Sequence, residues 1–295
     1  MKNRLSEHMR AAWWDVVASE GAKLGLADCR VMLENKLVND IFFEGTFNGT
    51  PCIVKCSSRA PESIENEFEM SRRLAETDPG VCAEALAWWR SADGRMAFVV
   101  TRKLPGPSLT DMFVRGVDEE EALDVMDDML RIGEALQKSG IVWRDIMADN
   151  LMMGEDGHLK LIDAQFAFLR SDYREDPYLM KHWRYRTLLF AHHPMMAGHG
   201  WNDAAMLLFM TLKFGKSHLV EERRERMRAM VAASAFPVEH GWSDMLRMRL
   251  MLLWLWMCRL APHGRGKAEA LRTRIARAKA FISRDSGRWN DYLYR

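Results

Sequence analysis

Five short apolar runs, each bounded by polar or turn-forming residues, fill the first third of the chain. Three lie close together, CRVMLEN, DIFFEGTF and PCIVKCS, and two follow later, ALAWWRS and RMAFVVTRKL. Runs of this length and composition predict β-strands. Asn48-Gly49, between the second and third runs, is a dipeptide typical of a two-residue hairpin turn. The pattern therefore predicts a small sheet of five strands.

Helical spacing of the apolar residues occurs twice in the same part of the chain. The segment PESIENEFEMSRRLAET, between the third and fourth runs, opens with a proline and is followed by Asp78-Pro79-Gly80. These are typical helix boundaries, so the segment predicts one helix beside the sheet. The N-terminal segment MKNRLSEHMRAAWWDVVASEG predicts an amphipathic helix with charges inside its apolar stripe, not a signal peptide.

The remainder of the chain is mostly helical in its spacing. It begins after LPGPSL, whose prolines and glycine predict a stiff connector near residues 104–108. IVW, NLMM and LKLID are short β-like runs that interrupt the helical pattern. The helices are predicted at residues 119–139, 203–214, 219–235, 243–261 and 267–283. We therefore predict a β-rich domain at residues 1–103 and a helical domain at residues 104–295.

Charge is unevenly distributed, although the formal net charge of the 295 residues is only +1. Residues 1–180 hold 21 Lys and Arg against 32 Asp and Glu, whereas residues 181–295 hold 21 against 9. Such a basic part would attract phosphates or an anionic membrane surface. Mutual attraction of the two parts, or charges that are simply solvated, explains the asymmetry equally well.

The cysteines and the most apolar run both favour a cytoplasmic protein. The five cysteines are scattered, with no Cys-x-x-Cys pair, which predicts reduced thiols and not a disulfide framework or a zinc site. The run MLRMRLMLLWLWMCRLA is interrupted by Arg247 and Arg249 and is too short to span a bilayer. It predicts a buried helix; the alternative is a helix in a membrane interface.

One polar set stands out inside the segment IVWRDIMADNLMMGEDGHLKLIDAQFAF. Asp145 follows Arg144, Asn150 comes five residues after that aspartate, and Asp163 comes thirteen residues after the asparagine. Single Asp and Asn residues are common in solvated turns. The set of three at these spacings, by contrast, indicates a functional constellation.

Five features, in this order, resemble the protein kinase-like superfamily. They are Lys55 in CIVKC, Glu67 in the following helix, a hinge-like TRKLPGPSL, Trp-Arg-Asp with Asn150 five residues after its aspartate, and Asp-Ala-Gln at residues 163–165. The resemblance covers roughly residues 25–215. It implies an α+β, bilobal fold, with a small N-terminal lobe of antiparallel sheet and one helix and a larger helical C-terminal lobe.

The resemblance also implies roles for the polar set. Asp145 would accept the proton of the attacking hydroxyl and orient it, and Asn150 and Asp163 would hold Mg²⁺. Asp203 has two interpretations. It is either the N-cap of a helix or, as at a similar place in the family, the residue that anchors the catalytic loop from beneath.

A second group would bind ATP. Lys55 would neutralise the phosphates, and Glu67 would hold that lysine as an ion pair. Arg102 and Leu104 would offer backbone groups to adenine, and Thr101 would lie at the position that controls the depth of the pocket. Taken alone, Lys55 would be interpreted as a strand-edge lysine and Glu67 as a solvated helix residue; only the ordered set of features favours the binding roles.

The sequence departs from the family pattern at several points. LENKLVND has no Gly-x-Gly-x-x-Gly, Trp143 stands in place of the histidine, and the Phe and Gly of Asp-Phe-Gly are Ala164 and Gln165. No clear Ala-Pro-Glu follows. These differences make the chain resemble divergent small kinases, including the lipopolysaccharide core sugar kinases.

The predicted function is an ATP- and Mg²⁺-dependent kinase that phosphorylates a hydroxyl of an anionic sugar or glycolipid, such as a lipopolysaccharide core. The alternatives are a protein serine/threonine kinase and a pseudokinase that binds a partner. Arg184 and Arg186 lie where such proteins meet their acceptor. We expect a cytoplasmic protein, with peripheral contact at the inner face of the membrane as an option, and no nucleic-acid partner.

Overall fold

The computed structural model describes residues 13–35, 40–58, 61–143, 145–169 and 200–233. Several predictions lie outside these residues: the part of the N-terminal helix before residue 13, and the two helices predicted at residues 243–261 and 267–283. Arg184 and Arg186 also lie outside them. The described part is a mixed α+β structure with a five-stranded antiparallel sheet and six helices.

The five predicted strands form one sheet, which confirms that part of the prediction. The spatial order is β1-β2-β3-β5-β4, and each neighbouring pair is antiparallel. The strands are β1 (Leu26–Asn35), β2 (Asp40–Phe47), β3 (Thr50–Ser57), β4 (Ala85–Arg90) and β5 (Ala97–Arg102). β3 lies at the centre of the sheet and has a paired strand on each side, β2 and β5.

The turn between β2 and β3 is the predicted two-residue hairpin. Phe47 pairs with Thr50, so only Asn48 and Gly49 lie in the loop. Both have positive φ, 49° and 80° respectively, as a type I′ turn requires. This turn sets the register of β3 against β2, and through it the position of Lys55.

Six helices are found in the described residues. They are α1 (residues 13–23, with a π-helical part Val17–Gly21), α2 (Pro61–Thr77), α3 (Leu109–Arg115), α4 (Glu119–Ser139), α5 (Gly200–Met210) and α6 (His218–Ala233). The bounds of α2 and α4 match the prediction. Gly140 ends α4 with a φ of 68°, as expected of a helix C-cap. The helix predicted at residues 203–214 begins earlier instead, and Thr211–Lys213 are 3₁₀-helical.

Four short strands are found among the described residues between α4 and α5. They are β6 (Ile141–Val142), β7 (Leu151–Met153), β8 (Leu159–Leu161) and β9 (Phe168–Leu169). The pairs are β6 with β9 and β7 with β8, both antiparallel. The first three correspond to the β-like runs of the sequence, whereas β9 was not predicted.

The connector after β5 is attached to the structure along its length. Gly106 N donates to Met153 O at 3.1 Å, and Met153 N donates to Pro107 O at 3.0 Å. A Cβ on Gly106 would lie 2.6 Å from the Met153 Cβ, so only glycine allows this approach. The connector therefore pairs with β7 much as a strand would. The prolines predicted a stiff linker but not this pairing.

Three hydrophobic clusters form the core. One lies between α1 and the sheet, and a small one, Ile64 with Ala97 and Val99, joins α2 to the sheet. The largest fills the helical part but also contains Met70 and Leu74 from α2. Core contacts thus extend across the predicted boundary at residues 103 and 104, and that boundary stays a prediction. No helix within the described ranges has the length and apolar content needed to cross a bilayer.

Candidate active site

Lys55 lies at the centre of the candidate site. It is in the middle of β3, paired with Phe42 on one side and Val99 on the other, and is 4% exposed. Its ammonium contacts Glu67 Oε2 at 2.9 Å, Asp163 Oδ1 at 2.7 Å and Gln165 Oε1 at 2.9 Å. An ammonium has three N–H donors, so these partners account for all of them.

Glu67 reaches Lys55 because it belongs to the buried face of α2. Ile64, Glu67, Ser71 and Leu74 are all buried, at the spacing of one helical face. Both side chains of the Lys55–Glu67 pair are almost fully buried. Bringing such charges out of water costs several kcal/mol per ion, so a buried pair is weak evidence for a purely stabilising role.

Asp163 follows β8 directly and has an unusual backbone conformation. Its φ is 66°, in the left-handed region, which Asp tolerates better than most residues but which still costs of order 1 kcal/mol. The conformation turns the chain so that its carboxylate meets Lys55. The side chain is 26% exposed, more than that of Lys55 or Glu67, so it faces outward from the buried pair.

Asp145 and Asn150 form a second group. Asn150 Nδ2 donates to Asp145 O at 2.9 Å and to Asp145 Oδ2 at 3.0 Å. Ala148–Asn150 is a 3₁₀ turn, which returns the chain toward the aspartate. Both bonds use Asn150 Nδ2, and no partner of its Oδ1 is found among the described residues, so this oxygen can serve a ligand.

The pairing of β7 with β8 brings the two groups together. Asn150 immediately precedes β7, and Ile162 immediately follows β8, and Ile162 N donates to Asn150 O at 3.0 Å. Asp163 is the next residue. The two oxygen ligands predicted for Mg²⁺ therefore stand at neighbouring strand ends.

Asp203 holds the segment before Asp145 in place. Its Oδ2 accepts a hydrogen bond of 2.7 Å from Trp143 N, and the carboxylate is 2% exposed. Asp203 lies inside α5 and not at its N-cap position. This contact agrees with the second of its two interpretations, an anchor of the segment before Asp145, and the catalytic role of that segment stays a prediction.

The residues predicted to contact adenine lie at the end of β5. Thr101 pairs with Ile53, two residues from Lys55 on β3, so Thr101 and Lys55 share one face of the sheet. Arg102 N donates a hydrogen bond to Glu84 O at 2.8 Å. Leu104 is buried, and no hydrogen bond of its N–H is found within the described residues.

Two residues of the site were missed from the sequence. Gln165, noted only as the loss of a glycine, bonds Lys55 through its side chain. Asn66 Nδ2 donates to Ala167 O at 2.7 Å and to Gln165 O at 3.3 Å, so α2 holds the segment after Asp163. In the sequence, only its position next to Glu67 could have indicated that Asn66 belongs to the site. The carbonyls that it contacts, those of Gln165 and Ala167, lie about a hundred residues away and have no recognisable local pattern.

Arg184 and Arg186, predicted to bind the acceptor, lie outside the residues that the structure describes. Within those ranges, no group of three or more His, Cys, Asp or Glu side chains is arranged to hold a metal ion alone. A cation here would need ligands beyond Asn150 and Asp163, such as phosphate oxygens and water.

Comparison with known proteins gives partial matches to kinases. No family model matches the chain. It is 37% identical over 70 residues, 23% of its length, to Serine/threonine-protein kinase max-2 of Caenorhabditis elegans. It is 36% identical over 74 residues, 25% of its length, to Serine/threonine-protein kinase PAK 1 of Mus musculus. The matched segments span only 11% and 14% of those two proteins. Over about a quarter of its length, the chain is therefore similar to serine/threonine protein kinases.

Proposed function

We propose that this chain is an ATP- and Mg²⁺-dependent phosphotransferase that acts on a hydroxyl group. The observation that carries the proposal is the contact of Lys55 with both Glu67 and Asp163. The contact joins the buried Lys55 ammonium to the carboxylate of Asp163, which lies next to Asn150 at the ends of β7 and β8. Because a buried ion pair of this kind adds little net stability, a role in ligand binding accounts for it better.

The charges of the group suit a nucleotide bound with a divalent cation. Lys55 with Glu67 and Asp163 has a formal charge of −1, and Asp145 adds another. Asp163 bonds Lys55 through Oδ1, which leaves Oδ2, and Asn150 leaves Oδ1. These two oxygens fit Mg²⁺, which takes one or two protein oxygens along with phosphates. When bound, Mg²⁺ would neutralise charge on the phosphates.

The residues of the chain would act mainly by positioning. Lys55, held by Glu67, would bind phosphate oxygens. Asp145, held by Asn150, would orient the acceptor hydroxyl and accept its proton. The adenine would meet the Arg102 carbonyl and the Leu104 N–H, with Thr101 beside it. In this proposal ATP lies between a sheet domain of residues 1–103 and a helical domain of residues 104–295.

For the acceptor, we propose an anionic sugar or glycolipid. The support is the excess of Lys and Arg in residues 181–295, which include Arg184 and Arg186. A membrane-bound acceptor would bring the protein to the inner face of the membrane as a peripheral protein. A protein acceptor is the second candidate, and the partial similarity to serine/threonine protein kinases favours it.

The decisive experiment is calorimetric titration of ATP with and without Mg²⁺. We expect the unmodified protein to bind Mg²⁺-ATP and to bind ATP more weakly when EDTA removes the metal. Asp163→Asn should remove most of this metal dependence. Asp156→Asn is the matched control, because Asp156 lies in the β7–β8 turn and bonds Lys160, not Lys55. Absence of any Mg²⁺-dependent binding in the unmodified protein would rule out the proposal.

The acceptor is tested separately with radiolabelled ATP. Lipopolysaccharide extract, a generic serine- and threonine-containing protein substrate and a sample without acceptor are compared, with Asp145→Asn as the inactive control. Label in the lipid fraction supports the first candidate, and label in protein supports the second. Binding of Mg²⁺-ATP with no transfer to any acceptor would favour a pseudokinase.

A further inference from the structure

The third hydrogen bond of Lys55 goes to a neutral side chain. Glu67 and Asp163 take two of its donors through carboxylates, and Gln165 Oε1 takes the third at 2.9 Å. A phosphate oxygen can bind an ammonium only through an N–H donor. Since all three donors are in use, a nucleotide must displace one of these partners before Lys55 can bind it.

Gln165 is the partner that is easiest to displace. Glu67 and Asp163 each form an ion pair with Lys55, and removing one partner of a buried ion pair is strongly destabilising. The bond to the Gln165 amide involves only one charged partner. Gln165 is also partly exposed, so its side chain has room to turn away.

The backbone of Gln165 does not need to move. Its carbonyl and that of Ala167 accept hydrogen bonds from Asn66 on α2. The backbone segment is therefore fixed to the helix, and only the side-chain torsions of Gln165 need to change. The Oε1 atom can leave Lys55 without disturbing Asp163 two residues earlier.

We propose that Gln165 is a built-in competitor of the nucleotide, whose amide oxygen occupies on Lys55 the place that a phosphate oxygen takes. This inference rests on the proposed function of the site. The competitor keeps the Lys55 ammonium paired when no nucleotide is bound, and it lowers the affinity for ATP by the free energy of the bond that must be broken. Gln165 is thus a positioning residue that acts through Lys55.

Three substitutions at Gln165 test the proposal by their order of affinity, measured by titration with Mg²⁺-ATP. Gln165→Ala removes the competitor and should tighten binding about tenfold, the equivalent of one hydrogen bond of about 1.4 kcal/mol to a charged group. Gln165→Asn shortens the side chain by one methylene, so the amide falls short of Lys55 and should behave as alanine does. Gln165→Glu adds a carboxylate that competes more strongly and repels phosphate, so binding should weaken by more than tenfold.

The matched control is Gln137→Ala. It removes the same side chain at a place where the amide bonds Met230 O, between α4 and α6. The control should bind Mg²⁺-ATP as the unmodified protein does. Circular dichroism and thermal unfolding check that every variant is folded. If Gln165→Ala does not fold, the comparison of Gln165→Asn with Gln165→Glu decides by the same order.

The outcomes separate this inference from the proposed function. If the unmodified protein binds Mg²⁺-ATP and Gln165→Ala binds it equally or more weakly, Gln165 is not a competitor, and the proposed function still stands. If Mg²⁺-ATP binds Gln165→Ala and Gln165→Asn more tightly than the unmodified protein, and Gln165→Glu more weakly, the inference is supported. If no variant binds, the proposed function fails and this inference fails with it.

Discussion

At the scale of single residues, Trp143 and Ala164 show how the chain differs from the pattern it resembles. Tryptophan stands where the resemblance predicts the smaller histidine, and alanine stands where it predicts the larger phenylalanine. Both are fully buried, in the same hydrophobic cluster. A close-packed core tolerates a larger residue at one position when a smaller residue at another keeps the total volume similar. The two departures are therefore consistent with a filled core.

Trp143→Ala tests how much of this core depends on the indole ring. Loss of a fully buried aromatic side chain should lower the free energy of unfolding by about 3–5 kcal/mol. Urea unfolding followed by circular dichroism measures it. Trp14→Ala is the control, because Trp14 is 41% exposed and its loss should cost about 1 kcal/mol or less. Equal losses at both positions would show that Trp143 is not a core residue.

Asp145→Asn tests the proposed general base. The variant keeps the size of the side chain, so ATP affinity should be nearly unchanged, while phosphoryl transfer should fall by about 10² or more. Single-turnover transfer and calorimetry measure the two quantities. Asp149→Asn is the control, because Asp149 is exposed in the same loop. Transfer at the unmodified rate would show that Asp145 is not the base.

The residue scale also shows what the sequence could and could not predict. The residues now found together at Lys55, Glu67 and Asp163 were chosen from motif order alone. Gln165 was not predicted as a site residue. Its hydrogen bond to Lys55 joins residues 110 positions apart and depends on the turn at Asp163. A side-chain contact of this kind leaves no periodic or local mark in the sequence.

At the scale of elements, the segment after α2 joins the sheet part to the helical part. Asp78 accepts a hydrogen bond from Arg131 Nε at 2.8 Å and a second from the same guanidinium. Gly80 lies against that guanidinium, where a Cβ would be 2.2 Å from a nitrogen. Further along, Ala83 N donates to Leu161 O at 2.9 Å. α2, α4 and β8 are thereby held together by one short loop.

The Asp78–Arg131 pair predicts a dependence of stability on pH. The hydrogen bond from Arg131 lowers the pKa of the Asp78 carboxyl below its ordinary value. A lowered pKa in the folded state contributes stability above the unfolded pKa of about 4, and this contribution is lost as the pH falls through the folded pKa.

Asp78→Asn should therefore reduce stability by about 1 kcal/mol at neutral pH, and the difference from the unmodified protein should narrow below about pH 4. Urea unfolding at a series of pH values measures this. Asp124→Asn, an exposed position on α4, should show little effect at any pH. A difference for Asp78→Asn that stays constant down to pH 2 would mean that its cause is not the charge.

Elements with clear periodicity were predicted well, and those set by tertiary contacts were not. α2 and α4 are long enough for apolar spacing to define their bounds. β9 has only two residues and exists through its pairing with β6. The connector at residues 104–108 is fixed by bonds to β7 that its prolines do not indicate. Short segments have too few residues for a period to be recognised.

At the scale of the whole molecule, the uneven charge predicts how the acceptor is bound. Arg184 and Arg186 lie in the basic part of the sequence, and an Arg fork binds phosphate and carboxylate alike. Replacing both with alanine should raise the KM for an anionic acceptor, make that KM less sensitive to salt and leave ATP binding unchanged. Steady-state kinetics at several salt concentrations measure these effects.

The control for this pair is Arg90→Ala with Arg95→Ala. Both residues are exposed on the β4–β5 hairpin, in the acidic part of the chain. The same charge is removed there, so a general effect of net charge would show in both double variants. If KM and its salt response are unaltered in the Arg184 and Arg186 variant, this charge is a solvated face and the glycolipid acceptor loses its main support. Equal changes in both double variants would show a general effect of net charge and not binding by Arg184 and Arg186.

The neighbouring residues Asn66 and Glu67 have a mechanical consequence. Successive residues on a helix point about 100° apart, so one reaches Lys55 on the sheet while the other reaches the backbone beyond Asp163. Two attachments in different directions fix the rotation of α2 about its own axis as well as its distance from the sheet. Any rotation of α2 about its axis would therefore lengthen both hydrogen bonds, so the position of the Lys55 ammonium and that of the backbone beyond Asp163 depend on the same helix.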